Sequence, residues 1–125
     1  MKKIVLISFI FITTLFSHSQ TPIEFGGEKN KLDTISSKQI KVVPITLQNL
    51  NSYEQQYYIE VDGEYIGMTN VLRENQIVKL NVPVKISKEN QLETHRICTV
   101  SIPKEEDELF KTKICTKAYL YWMKN

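Results

Sequence analysis

The chain has 125 residues, 42% of them hydrophobic, with 16 Lys and Arg against 14 Asp and Glu. That is room for one domain around one modest core, and the bases form no stripe, so nucleic-acid binding drops out of the expected functions. Two cysteines 17 positions apart and two histidines supply neither a metal cluster nor a CxxC redox pair, and no cofactor is expected.

The N-terminus reads as a secretory signal. Met1, Lys2 and Lys3 make a short positive start. Residues 4–16 are then almost wholly apolar, broken by Ser8 and the pair Thr13 and Thr14. Ser17 and Ser19 put small side chains at the two positions a signal peptidase reads. The apolar run is shorter than the roughly 20 residues of a spanning helix and has no basic flank after it. Residues 1–19 are therefore predicted to leave as a signal peptide, cut after Ser19, and His18 leaves with them. No Cys stands near the cut, so no lipid attachment is expected. Removal of Lys2 and Lys3 brings the bases level with the acids. With no later run of spanning length, the mature chain is expected to be soluble and periplasmic or secreted, not membrane-spanning.

Residues 20–38 are polar and weakly patterned, with Pro22 and the pair Gly26 and Gly27, and read as a mobile arm or an irregular first strand. The domain proper is expected over residues 39–125. From Ile40 the period becomes two: Ile40 and Val42 alternate with polar neighbours, and Ile45 and Leu47 continue in the opposite phase. The switch falls at Pro44, which cannot donate to a ladder, so a bulge or an edge position is predicted there. Tyr57, Ile59 and Val61 alternate with Tyr58, Glu60 and Asp62, and Asp62-Gly63 is a two-residue hairpin signal. That turn predicts Ile59 opposite Ile66 and Tyr57 opposite Met68. Val78, Leu80, Val82, Val84 and Ile86 form the cleanest alternation, with Pro83 on the polar phase arguing for an edge or a bulge. Residues 92–102 are a further strand with Cys98, Val100 and Ile102 on one face. Residues 110–123 close the chain, with Phe110, Ile114, Ala118, Leu120 and Trp122 in phase. Six or seven short strands separated by turn signals predict an all-β, antiparallel immunoglobulin-like sandwich, with a closed barrel as the alternative.

Cys98 and Cys115 are an even pair in a chain expected to be exported, which predicts a disulfide. It would close a loop of about 18 residues and stabilise by roughly 3 kcal/mol in the chain-entropy model. If residues 104–108 tip a symmetric hairpin, the two cysteines fall opposite each other on the less apolar face. A bulge would instead turn Cys115 inward, and the sequence leaves both arrangements open.

His95, on the polar phase of its strand, has no visible nucleophile to serve, so no catalytic residue is predicted and an enzyme is not expected. The acidic run 105–108 lacks the spacing and the glycine of a calcium loop and reads as a solvated tip. Lys111, Lys113 and Lys117 read as lysines that protect an edge strand. The tyrosines carry more. Tyr58, Tyr65, Tyr119 and Tyr121 fall on the phases opposite the apolar sets, and exposed aromatics are enriched where proteins bind partners or sugars. These four are the candidate binding surface.

Residues 45–50, the strand 57–62, the turn 72–76 leading into Lys79-Leu80, and residues 93–103 with their Ser101-Ile102-Pro103 ending together resemble the N-terminal immunoglobulin-like domain of periplasmic pilus-assembly chaperones. The family has a second domain, which the 106 residues after Ser19 do not supply. Its subunit-anchoring Arg and Lys pair has no matched position in this sequence. The resemblance therefore implies the fold and edge-strand pairing with a partner, rather than assembly-chaperone activity.

The expected function is thus an exported, non-enzymatic interaction module of the bacterial cell envelope or surface, in a pilus, adhesin or conjugation-type assembly. Its expected partner is another envelope or surface protein. The alternative is a small secreted ligand-binding protein or enzyme inhibitor whose tyrosines line a cleft.

Overall fold

The computed structural model describes residues 17–23, 26–27, 30–103 and 111–124. Residues 4–16, the acidic run 105–108 and Phe110 lie outside the described residues. Nine strands are present among those described: β1 His18–Pro22, β2 Gly26–Gly27, β3 Lys31–Ser36, β4 Ile40–Asn49, β5 Gln56–Val61, β6 Glu64–Met68, β7 Ile77–Lys85, β8 Leu92–Ile102 and β9 Lys113–Trp122. They form a three-stranded sheet in the order β1-β4-β7 and a six-stranded sheet in the order β2-β3-β9-β8-β5-β6. The sheets do not close on each other, so the architecture is a sandwich and the barrel alternative is set aside. No helix of the described residues is long and apolar enough to cross a membrane.

The core lies between the sheets, where the alternating apolar sets meet. Val43 and Ile45 of β4, Val82 and Val84 of β7, Ile97 of β8 and Leu120 of β9 are all buried in one cluster. A smaller cluster of Leu47, Tyr57 and Leu72 closes one end.

Several expectations need correction. Of the two readings of segment 20–38, an arm or an irregular first strand, its described residues take the strand reading, and they go to both sheets. β1 runs antiparallel to β4, and β3 pairs in parallel with β9. The inward residues of these strands include His18, Gln20 and Ser36, all buried, so hydrophobic alternation gives no sign of them. β4 contains no phase switch. Its register with β7 is continuous, Val43, Ile45 and Leu47 all face inward, and Ile40 and Val42 point to solvent. Pro44 sits in a central strand, and β1 explains how. A residue's N–H and C=O leave a strand on the same side, and the Pro44 carbonyl accepts from Ile23 N at 3.2 Å, just where β1 ends. The missing donor therefore falls beyond the end of the ladder.

The Asp62-Gly63 turn forms with both residues at positive φ, 53° and 85°, as a tight hairpin of this kind requires. Val61 stands opposite Glu64 and Glu60 opposite Tyr65, but the register then shifts, so Ile59 faces Gly67 and Tyr58 faces Met68. Ile66 is the extra residue of the resulting bulge. The predicted pairs Ile59 with Ile66 and Tyr57 with Met68 do not occur. In β8 the inward set is His95, Ile97 and Thr99, so Cys98 and Val100 lie on the outer face.

Candidate interaction face

Side chains alternate along a strand, and residues directly opposite one another share a face. These two facts let the outer face of the six-stranded sheet be read as rows across β3, β9, β8, β5 and β6. Ile35, Tyr121 and Leu92 form one row; Asp33, Tyr119 and Thr94 form the next. Lys31, Lys117 and Arg96 follow. The Cys115–Cys98 pair then continues into Glu60 and Tyr65, and Lys113, Val100, Tyr58 and Met68 make the next row.

All four candidate tyrosines thus stand on one face, in two separate patches. At the β5–β6 end the rings of Tyr58 and Tyr65 lie 6.1 Å apart, tilted by 49°. At the β3–β9–β8 end Tyr119 and Tyr121 line a shallow hollow of about 520 Å³ with Asp33, Thr34, Ile35 and Leu92. Apolar exposure is high at both ends: Ile35 is 60% exposed, Leu92 66% and Tyr65 60%. The two patches do not converge into one cleft.

Between them lies the disulfide. Cys98 and Cys115 are directly opposite and bonded, on the outer face, so Cys115 is not turned inward by a bulge. Lys113 reaches the Glu60 carboxylate at 2.9 Å, a charge contact without hydrogen-bond alignment. β9 lies between β3 and β8 from Lys117 to Trp122, so Lys117 guards no sheet edge and the edge-protection reading of it is withdrawn, while Lys113 precedes the part that β3 pairs. Lys111 lies before β9 begins.

His95 is not on a polar phase but buried. Its Nδ1 meets Asp62 Oδ2 at 2.6 Å and its Nε2 meets Glu93 Oε1 at 2.9 Å. Burial pushes the Glu93 carboxyl up, but the N–H groups of Ser87 and Lys88 and the His95 ring outweigh it and hold it below the usual range. Asp62 also accepts from Arg96 N at 2.9 Å. The imidazole is clamped between two carboxylates that are themselves held by backbone donors, with no hydroxyl or thiol hydrogen-bonded to it among the described residues. This cluster ties the β5–β6 turn to β8. Its sequence trace was the Asp of the hairpin turn, but only the fold brings Glu93 and Asp62 to one ring.

A second polar network fixes β1. Gln20 donates to the Ile97 carbonyl at 2.9 Å and to Thr116 Oγ1 at 2.7 Å, and accepts from Thr99 Oγ1 at 2.6 Å. The His18 ring lies between Thr99 and Thr112 and 4.8 Å from the ring of Tyr57. Among the described residues no group of three or more His, Cys, Asp or Glu could hold a metal ion.

No protein-family model matches this sequence, and no curated protein matches it. Among solved structures, the crystal structure of the E. coli chaperone DraB is similar, with a TM-score of 0.59 and 16% identity, over 86% of this chain and 56% of that one. At that identity the likeness shows the fold, an immunoglobulin-like sandwich, and the chain spans little more than half the length of that structure. The resemblance read from residues 45–103 holds at the level of the fold.

Proposed function

We propose that this chain is an exported, non-enzymatic interaction module, and that it meets a partner protein of the cell envelope or surface through the outer face of its six-stranded sheet. The setting we favour is a pilus, adhesin or conjugation-type assembly. The observation that carries this is the gathering of Tyr58, Tyr65, Tyr119 and Tyr121 on one uncovered face together with exposed Ile35, Leu92 and Met68. Exposed aromatic and apolar patches rimmed by polar side chains mark surfaces that meet a partner. Export is supported by the signal pattern of residues 1–19 and by a disulfide, which persists in oxidising compartments.

The test is site-specific photocrosslinking in the native host, with p-benzoylphenylalanine placed in turn at Tyr65, at Tyr121 and, on the opposite sheet, at Lys79. The expected result is a discrete protein adduct from Tyr65 or Tyr121 in the envelope or extracellular fraction, and none from Lys79. Adducts of equal yield from both faces, or from neither, would remove the outer face from consideration.

A further inference from the structure

We propose that the β3–β9–β8 end of this face docks a segment of a partner protein that carries side-chain carboxylates next to apolar side chains. This rests on the interaction reading above and names the chemistry of the partner.

Lys31, Lys117 and Arg96 occupy directly opposing positions in three neighbouring strands. Neighbouring strands lie about 4.8 Å apart, and like charges directly opposite one another destabilise a sheet. All three side chains are exposed, and none has an ion-pair partner among the described residues. The neighbouring cations are matched, Lys113 by Glu60 and Lys124 by Glu89. Three carboxylates stand near the row among the described residues, and Glu60 of these is taken up by Lys113. Asp62 has its oxygens occupied by the His95 ring and by Arg96 N. Asp33 lies exposed one row further along, opposite Tyr119. Among the described residues the cation row is therefore left undercompensated, on a chain whose total charge is close to balanced.

The surface beyond the row sets the rest of the partner's chemistry. Two residues along each strand stand Asp33, Tyr119 and Thr94, and two further stand Ile35, Tyr121 and Leu92, open over the hollow. From Lys117 to Tyr121 is about 13 Å of strand, the reach of roughly four residues of an extended peptide. A partner segment with carboxylates at one end and apolar side chains at the other satisfies both ends at once. A polyanion such as a nucleic acid would satisfy only the cations. It would also press its charge against Asp33 and leave Ile35 and Leu92 uncovered.

The experiment uses the full chain in its host, with p-benzoylphenylalanine at Tyr121, in the native background and with Lys117→Glu and Arg96→Glu together. Lys79→Glu with Lys85→Glu on the opposite sheet is the control, and secretion level with thermal midpoint checks that each variant folds. The expected result is an adduct whose yield falls at least tenfold in the Lys117→Glu, Arg96→Glu background and holds in the control. Mass spectrometry of the linked peptide should find Asp or Glu within a few residues of apolar side chains. A protein adduct indifferent to the charge reversal would overturn this proposal and leave the interaction reading standing. No protein adduct from either Tyr121 or Tyr65 would overturn both. An adduct at twice the mass of the chain, or one that is lipid, glycan or nucleic acid, would overturn the acidic and apolar partner segment.

Discussion

At the scale of single residues, the most consequential side chain is one that composition hides. Asn49 is fully buried. Its Nδ2 lies within 3.2 Å of the carbonyls of Tyr53, Leu72 and Arg73, and its Oδ1 accepts from Asn51 N and from the Tyr57 hydroxyl. Burial raises the Tyr57 hydroxyl well above its usual range, with Tyr53 adding to this and a bond to Asn51 opposing it, so the group stays a donor. Asn49→Asp would keep the acceptor but turn a carboxylate oxygen toward three carbonyls, and should cost about 3 kcal/mol or more in urea unfolding. Tyr57→Phe removes one donor and should cost only about 1 kcal/mol; similar losses from both would mean that water already fills this site. Glu93 gives a second prediction. Its folded carboxyl titrates below the ordinary range, so its contribution is present above that range and is lost as pH falls through the folded value. Glu93→Gln should therefore lower the stability at neutral pH and flatten the decline on acidification, both read from urea midpoints. Neither residue was legible as important, because a polar residue in a polar stretch acquires its meaning only from strands elsewhere in the chain.

At the scale of elements, β1 joins the sequence reading to the structure most sharply. Its inward residues are polar, so it escaped detection, and the predicted cut after Ser19 divides it. The full chain holds His18 buried, and that burial, partly offset by a bond at Thr99, lowers the ring to about 4 from 6.5. Between those values the unfolded chain binds more protons than the folded one. Stability from this source is therefore complete above pH 6.5 and falls as pH drops toward 4. A chain retaining His18 should lose about 2 kcal/mol between pH 7 and pH 5 by this route. A chain beginning at Gln20 should lack that decline. Intact mass fixes the terminus, and urea midpoints at the two pH values supply the comparison. A full-length chain with no such decline would place His18 in water. The Asp62-Gly63 hairpin was legible to its first two pairs, because turn chemistry is local. The bulge at Ile66 was not, because it depends on how β5 must also meet β8.

At the scale of the molecule, alternation in β7 and β9 and the spacing of turns were enough to predict a sandwich, whereas strand order was not. Two readings turned on that order: β9 looked like a lysine-guarded edge and is an inner strand from Lys117 on, and the cation row, unmatched among the described residues, gains Lys31 because β3 pairs in parallel with β9. The disulfide tests how the assembled sheet shares its stability. Cys98 and Cys115 join strands already paired over nine positions, from Leu92 with Tyr121 to Val100 with Lys113. The bond is thus redundant for holding β8 to β9 in the folded state, and its effect falls chiefly on the unfolded chain, where it closes a loop across a separation of 17 residues. Cys98→Ala with Cys115→Ala should leave the far-ultraviolet spectrum unchanged and lower stability by roughly 3 kcal/mol. The same pair should raise the urea m-value, since an uncrosslinked unfolded chain exposes more surface. A lost β-sheet spectrum would instead make the disulfide a condition of the fold, and an unchanged m-value would move its contribution into the native state.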